Sequence, residues 1–211
     1  MERQTVGSIF RAVWRSNMTL WQKIHTTGHL LASTIFVFVF VAGVFSVPLL
    51  FAFPHLGINS GFYSYFLIGW LSIITIYYVA NVQAEMSEGQ QRGRKALKFI
   101  LLFPLFLALS MGLSLHNTVA VIQGYRGKKT PFVRTPKFNI RNLTDKLKKR
   151  NYLASQVSWT TIFEGLLAIY FLVAIIVGIR MENNTFIIFH FLLMLGYGTI
   201  CYYSIRHLRI K

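Results

Sequence analysis

The residues best suited to chemistry lie in one short run, Phe132–Lys137, FVRTPK. Arg134 and Lys137 are cations three positions apart, Phe132 offers a packing surface, and Thr135 offers a hydroxyl. Pro131 and Pro136 bracket the run. They keep it out of a regular helix, because proline lacks an N–H and biases the preceding residue towards extended backbone. An extended cationic loop of this kind can grip phosphate: the cations neutralise the anion and the hydroxyl adds a hydrogen bond. Arg126, Lys128 and Lys129 lead into the run from Gly124, and the cationic segment Arg141–Arg150 follows it. The same composition also suits a juxtamembrane loop that holds anionic lipid headgroups.

Acid–base chemistry has little to draw on. The six acidic residues are Glu2, Glu85, Glu88, Asp145, Glu164 and Glu182. No two of them form an Asp-x-Asp metal pair or an acid/base couple, so no catalytic residue is expected in this chain. Glu164 stands inside an apolar stretch, where a carboxylate needs a partner or water. It reads either as the polar wall of a conduit, with Tyr170 and Trp159 beside it, or as an interface-level Glu paired with a nearby lysine. His25 and His29 are one helical turn apart but lack a third ligand, so no metal site is expected. The single cysteine, Cys201, excludes a disulfide framework.

The elements that must position these residues are membrane helices. A hydrophobic fraction of 54%, a charged fraction of 13% and a mean hydropathy of +0.50 describe a multi-span membrane protein. Five apolar stretches, His29–Phe53, Ser60–Val82, Phe99–Ile122, Trp159–Ile179 and Thr185–Ile205, approach or exceed the span length of ~20 residues, and none contains Lys or Arg. The net charge of +16 gathers at their ends. That distribution fits the positive-inside rule and anionic lipid headgroups, so no nucleic-acid partner is expected.

Charge also constrains the crossing count. If all five stretches crossed from a cytoplasmic N-terminus, Gln123–Ser158, with ten Lys/Arg, would face outside. If Phe99–Ile122 does not cross, 21 of the 22 Lys/Arg share the cytoplasmic side and only Arg180 lies outside. Pro104 and Gly112 weaken that stretch as a lipid-facing span, and His116, Asn117 and Thr118 follow within it. The expected fold is therefore an all-α integral membrane protein. It has four transmembrane helices in two hairpins, amphipathic interfacial helices and a cytoplasmic loop.

Residues 1–28 read as interfacial helices, with Val6, Ile9, Phe10, Val13 and Trp14 on one face and a capping box at Thr19 and Gln22. Residues 29–83 read as the first transmembrane hairpin, and 84–122 as a cytoplasmic turn plus an interfacial or re-entrant helix. Residues 123–158 form the basic loop, and 159–211 the second hairpin, closed by Arg180–Asn184, with its basic tail. Gly196-Tyr197-Gly198 reads as a helix-packing notch rather than a nucleotide loop.

This order of elements, together with HNTVAVIQGYRGKKTPFVRTPKF at His116–Phe138 and WQKIHTTGHLL at Trp21–Leu31, resembles the C-terminal membrane region of cellulose-synthase-like family 2 glycosyltransferases. Members of that family carry an F-x-R-T-P-K or F-x-V-T-x-K loop after such a helix. In the processive polysaccharide synthases it is the gating loop over the nucleotide-sugar site. The resemblance implies that Phe132, Arg134, Thr135 and Lys137 are the substrate- and nucleotide-binding residues, and that Glu164, Tyr170 and Trp159 border a glycan path. Arg3 corresponds to the Arg of the family's Q-x-x-R-W acceptor segment, although Gln4 stands where Trp is expected.

The family's catalytic domain would precede this chain. The resemblance therefore implies a chain that is not active alone, whether through a truncated gene model, a split gene or a degenerate paralogue. A catalytic domain would be supplied in cis or in trans. The chain itself would hold no cofactor, and the missing domain would bring a divalent metal, Mg or Mn. The implied partners are membrane lipids, a nucleotide-sugar donor and a glycan acceptor. The implied location is a prokaryotic-type inner (plasma) membrane, multi-pass, with both termini cytoplasmic. The alternative is a non-catalytic membrane scaffold whose basic loops bind anionic lipid or a partner protein.

Overall fold

The computed structural model of the protein describes residues 6–52, 55, 61–83, 92–128 and 157–209. In chain order the helices are α1 (Val6–Arg15), α2 (Leu20–Leu31), α3 (Ile35–Ala52), α4 (Gly61–Tyr78), α5 (Arg92–Gly112), α6 (Ser114–Tyr125), α7 (Trp159–Arg180) and α8 (Ile187–Arg209). A 3₁₀ turn, Ala32–Thr34, joins α2 to α3, and a π turn, Val79–Gln83, extends α4. Among the described residues there is no strand.

Among the described residues four segments are long and apolar enough to cross a membrane: Leu20–Ala52, Gly93–Gly112, Trp159–Arg180 and Ile187–Arg206. Three of them contain or match stretches expected to span. The fourth, Gly93–Gly112, comes from the stretch expected to lie along or within one face of the bilayer. α4 with its π extension, Val79–Gln83, covers the expected second span. Exposed Phe38, Ile162 and Ile188 give these helices outward apolar surfaces, as lipid contact requires.

Local sequence explains where the helices begin and end. Thr19 caps α2 as its capping-box spacing predicts: the Gln22 N–H donates to Thr19 Oγ1 at 3.4 Å, and the Thr19 N–H donates to Gln22 Oε1 at 3.0 Å. Lys23 Nζ donates to the Trp14 carbonyl at 3.1 Å, and Trp14 Nε1 donates to Thr27 Oγ1 at 3.2 Å, so α1 is tied to α2. α7 stops at a Schellman-type turn. The Asn183 N–H reaches Gly178 O at 2.9 Å, the Glu182 N–H reaches Ile179 O at 3.1 Å, and Glu182 takes the left-handed φ of 54° between them.

The core forms where α6, α7 and α8 meet, flanked by α3 and α5. Leu115, Phe171, Leu193 and Tyr197 are buried together. Phe171 stacks on Tyr197 with a centroid distance of 5.9 Å. α5 crosses α8 at contact distance because both helices place glycine there. A Cβ at Gly196 would collide with the Ala108 carbonyl, and one at Gly112 would lie 2.6 Å from Gly196 O. The helix-packing notch expected at Gly196 is thus occupied by Gly112.

α3 carries Pro48, whose missing N–H leaves the Val44 carbonyl without its intrahelical donor. Tyr170 OH supplies that donor from α7, at 3.0 Å. Asn183 Nδ2 donates to Leu50 O at 3.1 Å near the end of the same helix. Buried Ser46 and His190 meet at 2.8 Å between Oγ and Nε2 and join α3 to α8.

Candidate functional site

α6 is the element that delivers the cationic loop, and its whole length is fixed. Ser114 Oγ meets Tyr197 OH on α8 at 2.7 Å. Thr118 Oγ1 donates to Phe36 O on α3 at 3.2 Å, and Tyr125 OH meets Thr34 Oγ1 at 2.7 Å. The helix ends in a second Schellman-type turn, in which the Lys128 N–H reaches Gln123 O and the Gly127 N–H reaches Gly124 O. Gly127 sits at φ 68°, a left-handed conformation that costs glycine nothing and a side chain about 1–2 kcal/mol. The chain therefore leaves α6 at a fixed point.

The polar centre of the bundle is a pair that links α6 to α7. Glu164 is fully buried, and its Oε1 lies 2.6 Å from His116 Nδ1. That separation places one proton between the two atoms. His116 Nε2 makes a longer, 3.5 Å contact to Thr160 Oγ1. Thr160 Oγ1 in turn lies 2.6 Å from Ser158 Oγ, the side chain that caps α7. The relay Ser158–Thr160–His116–Glu164 runs inward from the start of α7. It ends at Glu164 Oε2, which is buried and has no hydrogen-bond partner among the described residues.

This pair can transmit position and charge between two helices. A buried carboxylate without a partner is costly, so α6 and α7 are held together wherever Glu164 is in place. The partner of Oε1 is a histidine rather than a nearby lysine. In the sequence His116 stands out only as a polar residue within the Phe99–Ile122 stretch and as the start of the His116–Phe138 motif. A stronger signal was available: an intramembrane carboxylate demands a complement, and His116 is a titratable side chain in a neighbouring apolar stretch.

The other two residues expected along a glycan path, Tyr170 and Trp159, make contacts of their own. Tyr170 is committed to the Val44 carbonyl. Trp159 is exposed at the start of α7, edge-on to Phe163 at 5.7 Å. Glu164, Tyr170 and Trp159 thus meet three different neighbours among the described residues. The loop residues Phe132, Arg134, Thr135 and Lys137, and also Arg3, fall outside the described residues. His25 and His29 stack edge to face at 4.7 Å. Among the described residues no group of three or more His, Cys, Asp or Glu could hold a metal.

A comparison of the sequence with protein-family models finds no match, and comparisons with curated proteins and with solved structures find none either.

Proposed function

We propose that this chain is the membrane-embedded part of a family 2 glycosyltransferase, one that transfers or polymerises sugar from a nucleotide-sugar donor. It anchors the catalytic domain, borders the path of the glycan and supplies a loop that closes on the donor. The observation that carries this reading is Phe132–Lys137, FVRTPK, a few residues beyond the fixed end of α6. Arg134 and Lys137 suit a diphosphate leaving group, Phe132 packs, and Thr135 hydrogen-bonds. A loop that must close over a substrate needs a rigid base, and α6 is tied to α3, α7 and α8.

The proposed site is the inner (plasma) membrane of a prokaryotic-type cell, with both termini cytoplasmic. The charge distribution supports this, provided Phe99–Ile122 enters and turns back. Pro104, Gly112 and the polar run His116–Thr118 within that stretch support the turn back. The catalytic domain, with its Mg or Mn, acts in cis or in trans.

The test uses membranes that hold the full chain together with a family 2 catalytic domain and a labelled nucleotide sugar. Thr135→Ala and Lys137→Ala are each expected to lower incorporation by about 10- to 100-fold, the worth of one charge-assisted hydrogen bond in the transition state. Full incorporation by both variants would remove the loop from the reaction. The second reading, a scaffold that binds anionic lipid, draws on the same cations. It expects binding to vesicles that follows anionic lipid content and ignores nucleotide.

A further inference from the structure

A cavity of about 260 Å³ lies between α6 and the 3₁₀ turn that joins α2 to α3. At about 30 Å³ per water in the liquid it has room for roughly nine waters, enough for one pyranose ring with its hydroxyls. One face of α6 supplies a wall, because Asn117, Val121 and Gly124 follow one another at helical spacing. Leu30 of α2 and Val6 of α1 add apolar lining.

Hydrogen bonds fix the frame of the cavity. Tyr125 OH meets Thr34 Oγ1 at 2.7 Å, and Thr118 Oγ1 donates to Phe36 O at 3.2 Å. These bonds tie α6 to the 3₁₀ turn and to the start of α3, and Thr34, Phe36 and Tyr125 all line the cavity. Asn117 and Ser33 line it too, and their side chains make no hydrogen bond with any described residue. Among the described residues no charged side chain lines it. The polar part of the lining is an amide and hydroxyls, which donate and accept without carrying charge.

That lining selects the occupant. An ion would shed its water and gain no counter-charge from the described lining. A hydrocarbon would leave the Asn117 amide and the Ser33 hydroxyl facing it unpaired. A lipid ester only accepts hydrogen bonds, so it serves the Asn117 N–H groups and not the Asn117 carbonyl. A neutral ring of hydroxyls offers donors and acceptors together, and its C–H faces suit Phe36, Leu30 and Val121. We infer that this cavity seats one neutral pyranose unit, with its hydroxyls on Asn117 and Ser33 and a C–H face on Phe36. The seat rests on the lining of the cavity and not on the glycosyltransferase reading.

The experiment places the full chain, without a catalytic domain, in phosphatidylcholine vesicles. Three probes carry the same photoactivatable diazirine: methyl glucoside, its carboxylate analogue methyl glucuronide, and glucosyl diacylglycerol. Adducts are mapped by peptide mass spectrometry, and those displaced by excess unlabelled methyl glucoside are counted. The glucoside is expected to give displaceable adducts within residues 30–36 and 117–125, and the glucuronide about 10-fold fewer. Asn117→Leu, which removes the amide, should weaken displacement about 10-fold, the cost of sugar hydroxyls left unpaired. Ala120→Trp, which fills the cavity and keeps the amide, should abolish the displaceable adducts. Ser72→Ala, on α4, should leave them intact. Displaceable adducts from glucosyl diacylglycerol and none from the soluble glucoside would support the seat and make a glycolipid headgroup its source. No displaceable adducts from either sugar probe would overturn the inference. So would glucuronide labelling equal to that of the glucoside, or labelling unchanged by both Asn117→Leu and Ala120→Trp.

Discussion

Replacing His116 with leucine strands a carboxylate inside the bundle, and the cost can be worked from the geometry. Glu164 is fully buried, Oε1 has His116 as its partner, and Oε2 has none among the described residues. Breaking a buried pair from one side costs about 3–5 kcal/mol in general. Here the imidazole is 48% exposed, so water can follow into the space it leaves. That lowers the expected cost of His116→Leu to about 2 kcal/mol. Glu164→Leu leaves a half-exposed imidazole that water can serve, at about 1 kcal/mol. The double variant removes both polar groups and should stand within about 1 kcal/mol of the wild type, because an apolar pair replaces a buried polar pair at little net cost. The coupling energy is then about 2 kcal/mol. The assay is equilibrium unfolding of the purified chain in mixed micelles for the wild type, two single variants and the double variant. A double variant whose loss equals the sum of the single losses would refute the reasoning. So would a His116→Leu variant indistinguishable from the wild type.

Three further outcomes follow from other contacts. Gly196→Ala drives a Cβ into the Ala108 backbone, which has no side chain to move aside; the same unfolding assay should show a loss of about 3 kcal/mol or more. Tyr170→Phe removes the donor to Val44 O and should cost about 1–2 kcal/mol. Most of that cost should disappear in a Pro48→Ala background, where an N–H at position 48 can serve the same carbonyl. Membrane-impermeant amine reagents should modify Lys128 and Lys148 in inverted membrane vesicles and not in intact cells. Modification from outside would reverse the proposed sidedness.

Much of the fold was legible because hydropathy and capping act locally. The apolar runs around α3, α7 and α8, the capping box at Thr19 and Gln22, and the tight closure after Arg180 each depend on neighbouring residues. The notch at Gly196 was legible as a type of contact. Its occupant, Gly112, was not, because the glycine spacing of one helix says nothing about which other helix it meets. Tyr170 shows the same limit. Its sequence context places it beside Glu164 on the wall of a conduit; its hydroxyl donates to a carbonyl that a proline on another helix leaves free, a contact that nothing in the sequence around Tyr170 announces. Glu164 was marked as needing a partner, but His116 lies 48 positions away in the stretch set aside as interfacial. Charge counting also cannot locate the bend at Leu113, between α5 and α6. There the Leu113 N–H still reaches Leu109 O and the Asn117 N–H reaches Leu113 O, so the bend is local rather than a full loop.

The most direct test of the proposed role asks what the FVRTPK loop touches. Membranes that hold the full chain and a family 2 catalytic domain would be irradiated with a photoactivatable nucleoside diphosphate, and the adducts mapped. The expected result is labelling within residues 132–137 that excess nucleoside diphosphate displaces and that Lys137→Ala reduces. Labelling of that segment that anionic lipid displaces and nucleotide does not would contradict the glycosyltransferase reading and leave a lipid-binding scaffold.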